Sequence, residues 1–478
     1  MAGIFEPQRN CWTIAKANRA AVIIDAENYF RYVRRAMTKA KSRIVLLSWD
    51  FDARIKMHDT ENEVEGPLEV GAFIESLVEN NPELHIYILR WDTGAIKSLF
   101  RSTVIFTLIK WIFHPRIHLK LDSHHPVGAA HHHKVIAIDD DTAFCGGIDI
   151  TDDRWDTRHH RKHEPGRKDP NNKDAGPWHD AAMAMQGPVA SALAEFSEQQ
   201  WNKAGGKKMV PIKGAADCWP DDLKPMFCDV DMAIARTQPK IEDQQAISEI
   251  EELYLDLIAT AKKHFYAESQ YFASRKIAAA IAKRLDEKNG PEFVIINPVT
   301  ADGWLESKTM DTKRKRLIHS LRKRDNHGRL QIYHVENEAG QPIYIHAKIV
   351  IVDDRIIRIG SSNFNNRSLG FDTECDVAID AEHCGSREHE TEVRAEIRNI
   401  RHDLLAEHLG STVAQIETLF ERTGSLIETI QQASGSGQTL REYQTPDLNE
   451  TEEWLGDHDL FDPADADDDF AIVDRRWK

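Results

Sequence analysis

Hydrophobic and polar positions alternate along this chain in two rhythms. Over residues 27–42 the side chains Tyr29, Tyr32, Val33, Ala36 and Ala40 fall on one helical face, the spacing of an amphipathic helix. Residues 44–49 and 84–89 are continuous apolar runs; 134–138 is a third, and 142–144 returns beside it after Asp139-Asp140-Asp141. Short unbroken runs of this kind predict strands covered on both faces. The second half repeats the series, with a helical pattern over 247–262, strands at 265–267 and 293–296, and a hairpin of 348–352 and 356–359 around Asp353-Asp354-Arg355. Strands alternating with helices predict α/β layers.

The repetition extends to individual residues. AHHHKVIAIDDDTAFCGGIDIT in the first half and IHAKIVIVDDRIIRIGSSNFNNRS in the second share His-x-Lys, four residues, Asp, six residues, Gly. His132, Lys134, Asp139 and Gly146 match His346, Lys348, Asp353 and Gly360, all at an offset of 214. Upstream, AKSRIVLLSWDF matches AKKHFYAESQYF, with Ser48 and Ser269 offset by 221. A period of this length is too long for a solenoid and predicts a duplicated α/β unit.

Composition narrows the class. At 478 residues, 41% hydrophobic and 29% charged, the chain is globular, with ample core material. The net charge is −17, of which residues 441–478 carry −9, leaving −8 for residues 1–440. An acidic body argues against general nucleic-acid binding. Six cysteines without a Cys-x-x-Cys pair argue against a zinc ribbon and fit a reducing compartment. No secretory leader is read at the N-terminus. The most apolar window, 104–113, is too short to span a bilayer and reads as a buried helix, or else a lipid-touching patch.

Residues two apart on a strand share a face, so His132 with Lys134, and His346 with Lys348, are expected to point into one site. An imidazole can act as nucleophile or acid, and a neighbouring lysine can hold an oxyanion or phosphate. One His-x-Lys is an ordinary exposed strand feature. Two copies at one spacing, each followed by Asp and a glycine-rich turn, favour a site.

This duplicated motif resembles that of the phospholipase D superfamily. The resemblance covers most of residues 10–385 and includes LDSHHPVGAAHHHK, the segment 177–202, AESQYF and GSSNFNNRSLGFDTECDVAI. It implies two α/β/α sandwich halves related by a pseudo-twofold axis, with one active site at their interface. It also implies phosphodiester chemistry through a phosphohistidine, without cofactor or metal. By analogy His132 is the nucleophile and His346 the acid/base; the motifs alone allow the reverse. Lys134 and Lys348 would hold phosphate oxygens, helped by Asn363, Ser361 and Gly147. Asp180 and Glu374 match the family's carboxylates downstream of each motif; each would accept a histidine Nδ1–H and raise that histidine's pKa. Asp139 and Asp353, in hairpin turns, are expected to be structural. Asp149 stands where the second copy has Asn363, and it is expected to be structural or turned away from a diester. The asymmetry tilts the reading toward lipid.

Other features are weighed against blander readings. His124, His125, His131, His132 and His133 cluster, but His131 and His133 should face away from His132, so no metal is expected. The basic segment 154–173 could gate the site or read a head group, or be a solvated loop. The stretch 313–323 reads as a solvated helix face that could also meet an anionic bilayer. Trp49, Trp91, Tyr271 and Trp304 are candidates for cleft walls or core.

The expected organisation is a first half over 1–205, a linker over 206–239, a second half over 240–385, a helical extension over 386–432 and a flexible acidic tail over 433–478. The expected activity is hydrolysis of glycerophospholipids to phosphatidic acid and a free alcohol, with head-group exchange. Expected partners are a glycerophospholipid at a membrane surface and a water or alcohol acceptor. No nucleic acid and no transmembrane segment are expected, and the location is cytoplasmic with peripheral membrane association. Cardiolipin synthase-type phosphatidyl transfer and a family nuclease are the alternatives.

Overall fold

The computed structural model describes residues 3–58, 66–92, 110–214, 216–241, 244–300, 304–433 and 437–444, with 304–309 by their backbone alone. The first half opens with β1 (Thr13–Ile24), whose last five residues are buried, and α1 (Ala26–Thr38). It continues with β2 (Arg43–Ser48), α2 (Val70–Asn80), β3 (His85–Trp91) and β4 (Ile117–Asp122). The hairpin β5 (Val135–Ile138) and β6 (Thr142–Gly146) precedes β7 (Trp178–His179), β8 (Ala181–Gln186) and α3 (Pro188–Lys203).

The second half runs β9 (Phe227–Gln238), β10 (Ile247–Ser248), α4 (Glu249–Thr260), β11 (His264–Glu268), α5 (Arg275–Leu285) and β12 (Glu292–Ile296). Then come α6 (Trp304–Arg324), β13 (Leu330–Glu336), β14 (Pro342–Ile345), β15 (Ile349–Val352), β16 (Ile356–Gly360) and β17 (Glu374–Asp380). After these lie α7 (Arg387–His408), α8 (Val413–Thr423), α9 (Leu426–Gln432) and β18 (Thr439–Glu442).

Hydrogen-bonded neighbours follow the order β4-β3-β2-β5-β6-β8-β1 in the first half. The second half gives β13-β12-β11-β15-β16-β17-β9, the same pattern. β1 and β9 pair antiparallel at the seam, from Thr13↔Ile234 to Ala20↔Phe227. Two equivalent strands meeting antiparallel is the seam that halves related by a twofold form. The halves are α/β sandwiches. One apolar core packs α1 and α2 on the outer face of the first half, another packs α4, α5 and α6 on the second, and a third runs beneath both halves against α3 and α7.

Several expectations need correction. The segment expected as a linker contains β9, a twelve-residue strand at the centre of the sheet. Its alternation of charged and apolar residues was hidden by surrounding Gly, Pro, Lys and Asp. The first helix of the expected extension, α7, occupies in the second half the place that α3 has in the first, directly after the last strand and against the shared core. Within the expected flexible tail, β18 adds to the edge of β13; residues 445–478 lie outside the described residues. Residues 104–109 of the apolar window do too, whereas Trp111 is buried and Ile112 and Phe113 are exposed. The basic stretch 313–323 is partly turned inward, with buried Arg314 donating to the carbonyls of Pro298 and Val299. No helix among the described residues is long and apolar enough to cross a membrane.

The motif aspartates explain how each hairpin is held. Asp139 and Asp140, like Asp353 and Asp354, have φ between 49° and 54°, the left-handed region that these three-residue hairpin loops enter and that Asp adopts more readily than most residues. The Asp139 carboxylate accepts the backbone N–H groups of Lys41, Ser42 and Arg43 at 2.6–2.8 Å, and Asp353 accepts those of Lys262, Lys263 and His264 at 2.6–2.8 Å. Each aspartate therefore stitches its hairpin to the start of the neighbouring antiparallel strand, β2 or β11. Asn tolerates positive φ, so Asp→Asn isolates the loss of the charge. Asp139→Asn should lower unfolding free energy by about 2 kcal/mol, and Asp353→Asn by less, because its donors are more exposed. Urea denaturation midpoints would show this order.

Candidate active site

The two motif histidines sit on extended lead-ins just before β5 and β15, with Lys134 and Lys348 immediately preceding the strands. Each lead-in is laid against a segment of the other half. The His132 N–H donates to the Thr373 carbonyl at 2.9 Å and the Thr373 N–H to that of Ala130 at 2.9 Å. Equivalently, β14 pairs with β7, and the His346 N–H donates to the His179 carbonyl at 2.8 Å.

This crossing sets the side-chain partners. His132 Nδ1 lies 3.0 Å from both oxygens of Glu374, and His346 Nδ1 lies 2.6 Å from Asp180 Oδ2. Each imidazole is thus oriented by the carboxylate of the opposite half, and each keeps Nε2 for chemistry. The carboxylates are themselves held. Glu374 accepts from Ser361 Oγ at 2.5 Å and Ser368 Oγ at 2.6 Å, and Asp180 Oδ1 accepts from the Ala181 N–H at 2.8 Å. Gly147 gives Asp180 its room, since a Cβ there would stand 2.1 Å from Asp180 Oδ1. Ser361 and Gly147, expected at the substrate, therefore serve the carboxylates.

Burial reverses the expected histidine titration. Desolvation, reinforced by the charges of Lys134 and Lys348, pushes His132 well below its ordinary pKa; desolvation, Lys348 and Arg154 do the same to His346. Burial raises Asp180, and it raises Glu374 to about 7. A hydrogen-bonded carboxylate alone would raise the imidazoles, but here two lysines share the same dry space.

The lysines differ. Lys134 Nζ donates to the His132 carbonyl at 2.7 Å and lies 3.1 Å from Asp149 Oδ2. Asp149 also accepts from Ser48 Oγ at 2.8 Å and the Trp49 N–H at 3.1 Å. The acid is neither turned away nor idle: it ties the end of β2 to the site and partly neutralises Lys134. Lys348 instead contacts the His346 carbonyl and the neutral Gln270 Oε1, the latter at 3.4 Å, which Asn363 Nδ2 approaches at 3.5 Å. Burial, partly offset by Asp180, pushes Lys348 down to about 7.

Aromatic rings flank both imidazoles. Trp49 stands edge-on to His132 with centroids 6.2 Å apart and stacks on Trp91 at 6.0 Å. Trp178 lies 5.0 Å from His346, stacks on Tyr344 at 4.6 Å and carries the Arg154 guanidinium over its face at 4.1 Å. Arg154 begins the basic segment 154–173, whose Arg158 and Arg167 are tied to Glu407 and Asp156. Trp178, Tyr344, Gln270 and Ser368 were missed in the sequence. Trp178 lies in the segment 177–202, Gln270 in AESQYF and Ser368 in GSSNFNNRSLGFDTECDVAI, so all three carried a signal; Tyr344 carried none beyond proximity to a motif. The Tyr271 hydroxyl accepts from Gln270 Nε2 at 3.1 Å, whereas the Trp304 side chain lies outside the described residues. His131 and His133 both turn to Thr373 Oγ1.

Two imidazoles, each braced from the opposite half, with a lysine beside each, define a site for an anionic oxygen-rich centre. The comparisons with known proteins agree. A family model described as "Cardiolipin synthase, PLD-like domain" matches residues 254–400. Phospholipase D alpha 1 of Arabidopsis thaliana is 26% identical over 400 residues, covering 59% of this chain and 49% of the relative. Phospholipase D alpha 4 of the same plant is 22% identical over 510 residues, covering 82% and 65%. The chain spans about half the length of most of the curated relatives it matches. The crystal structure of phosphatidylserine synthase from Haemophilus influenzae Rd KW20 superposes with a TM-score of 0.53 at 14% identity, over 81% of this chain and 88% of that one, and shares the fold. Residues 254–400 match the PLD-like family model, and the chain is similar over most of its length to proteins of the phospholipase D superfamily.

Lys348 loses its charge as pH rises through about 7, so kcat/KM on a soluble chromogenic phosphodiester should fall along an alkaline limb near that pH. Lys348→Arg, whose guanidinium stays charged, should lower the plateau and move this limb upward. An unmoved limb in the variant would assign it to another group.

Proposed function

We propose that this chain is a phospholipase D-type phosphodiesterase. It cleaves glycerophospholipids to phosphatidic acid and a free alcohol and exchanges head groups when an alcohol is present. The observation that carries the reading is the crosswise bracing of His132 by Glu374 and of His346 by Asp180, which leaves two Nε2 atoms available between two lysines.

In this reading, the diester enters between Lys134 and Lys348. Its negative charge offsets the lysines and favours a protonated His346. His132 Nε2 attacks phosphorus; the P–N bond forms as the bond to the head-group oxygen breaks, and that oxygen takes the proton from His346 Nε2. His346 then accepts a proton from water or an alcohol, whose oxygen attacks phosphorus and releases His132. Glu374 and Asp180 stay on the Nδ1 atoms throughout, orienting the rings and stabilising the imidazolium. Asn363 and the lysine ammonium groups hold the equatorial oxygens.

A lipid substrate is supported by the names of the plant relatives, by Asp149 in place of a second Asn, by the acidic body, and by exposed Phe113, Ile112, Leu121 and Val127 on the approach to the first motif. Phosphatidyl transfer of cardiolipin-synthase type is the second reading, favoured by the description of the matching family model. The proposed setting is the cytoplasmic surface of a membrane.

Incubation with mixed phospholipid vesicles, with and without ethanol, should yield phosphatidic acid and phosphatidylethanol. Cardiolipin formed from phosphatidylglycerol in place of both would favour the transferase. Neither lipid product, with cleavage of DNA in a parallel tube, would overturn the lipid reading in favour of a nuclease. His132→Ala and His346→Ala should each lower the rate by about 10³-fold or more; activity within tenfold of wild type would overturn the phosphohistidine mechanism.

A further inference from the structure

Behind Asp180 lies a charged cluster that the proposed chemistry does not use. Asp25, at the end of β1, and His160 and His179, from the first half, meet Glu407 from the last turn of α7. The side chains of Asp25, His160 and His179 are wholly buried and that of Glu407 is 2% exposed. His160 Nε2 lies 3.4 Å from Asp25 Oδ2 and 3.2 Å from Glu407 Oε1, and His179 Nδ1 lies 3.2 Å from Asp25 Oδ1 and 2.8 Å from Glu407 Oε1. All four groups offer a donor atom within 4.8 Å of the others. A tetrahedral zinc ion with ligands at about 2.0–2.1 Å would space its donors about 3.3 Å apart.

Hydrogen bonding accounts for only part of this packing, the His160 Nε2 to Glu407 Oε1 contact at 3.2 Å. His179 Nδ1 and Asp25 Oδ2 are buried and make no hydrogen bond, despite their close neighbours. Asp25 precedes α1 as its N-cap residue yet makes no capping bond, and it holds φ 63° and ψ 155°, a region costly for any residue but glycine. By contrast, the outward nitrogens are well partnered. His160 Nδ1 bonds Asp156 Oδ2 at 2.9 Å, and His179 Nε2 bonds Glu268 Oε2 at 2.8 Å. Carboxylates on the far nitrogen are the usual support of metal-bound histidines. Asp156 is in turn held by Arg167, and Glu268 by Tyr266 and His408. Glu407 commits Oε2 to Arg158 at 2.5 Å and keeps Oε1 for the centre.

The charges agree. Asp25, Asp156, Glu268 and Glu407 face Arg158 and Arg167, which leaves a deficit of two positive charges in a dry interior. In the metal-free protein the surrounding carboxylates, outweighing desolvation, raise both imidazoles, His160 to about 10, so two imidazolium charges meet the deficit; a bound dication would replace those two protons. We propose that Asp25, His160, His179 and Glu407 form a structural site for a zinc-type divalent ion. The two-nitrogen, two-oxygen donor set suits zinc better than calcium or magnesium, which favour all-oxygen ligands. In the neighbouring trio His179, Glu268 and His408, both facing imidazole nitrogens are hydrogen-bonded to the Glu268 carboxylate at 2.8 and 2.9 Å. The ion does not touch the reacting atoms. It joins β1, the 154–173 segment and α7 beneath β7, and the Asp180 N–H donates to Asp25 Oδ1 at 3.1 Å, so it fixes the carboxylate that orients His346.

The test uses the full chain without a histidine tag, produced in zinc-supplemented medium and purified without chelator. Elemental analysis should find about one zinc per chain. Exchange into Co²⁺ should give the intense visible bands of tetrahedral coordination, and stripping the metal should lower the melting temperature by several degrees. His160→Gln and Glu407→Gln should each lose the metal, whereas His125→Gln, in the other histidine cluster, should keep it. Metal-free wild-type protein that takes up neither Zn²⁺ nor Co²⁺ on refolding would overturn the site and leave a proton-sharing network in its place. So would stoichiometric metal in both ligand variants. Where a variant fails to fold, the wild-type metal content and Co²⁺ spectrum decide.

Discussion

Everything at this site depends on an exchange of partners across the interface. Glu374 reaches into the first half to hold His132, and Asp180 reaches into the second to hold His346. An imidazole positioned by its own half would need only that half to fold. Here neither ring is oriented until the lead-ins of β5 and β15 have paired with the opposite segments. Docking of the halves and assembly of the site are therefore one event. The backbone bonds at Thr373 and His179 set the distance, the carboxylates set the tautomer, and the buried lysines set the charge.

The duplicated motif was legible because it is local: His, Lys, Asp and Gly recur at fixed spacing in one continuous segment. The strands of each half were legible for the same reason, as unbroken apolar runs. β1 and β9 escaped because their outer residues alternate with charge, and β9 sits among turn-forming residues that suggest a linker. The crossing of Asp180 and Glu374 is a tertiary fact, and each carboxylate lies closer in sequence to the histidine it does not hold. The direction of the histidine titration was misjudged because spacing does not report desolvation. Both lysines had been assigned to phosphate, but not to the field felt by the rings.

The two halves have the same framework and different electrostatics. Asp149 compensates Lys134 and anchors Trp49, which forms the wall beside His132. At the equivalent place Asn363 is neutral, and Lys348 faces the amide of Gln270. Lys348 is thus the ammonium whose charge is least compensated in the free protein and the one with most to gain from a phosphate. A nearly symmetric cradle is in this way given a direction along which a diester can be ordered.

The antiparallel seam between the equivalent strands β1 and β9 has an evolutionary consequence. Two equivalent strands that pair antiparallel form a seam of the kind that two separate copies of one strand can also form. A single half would therefore meet its twin as a homodimer through the same seam, with two identical lysines and two identical rings. Joining the copies in one chain leaves the seam unchanged and removes the requirement of identity. The Asp149/Asn363 difference is a divergence that only such a fusion makes available.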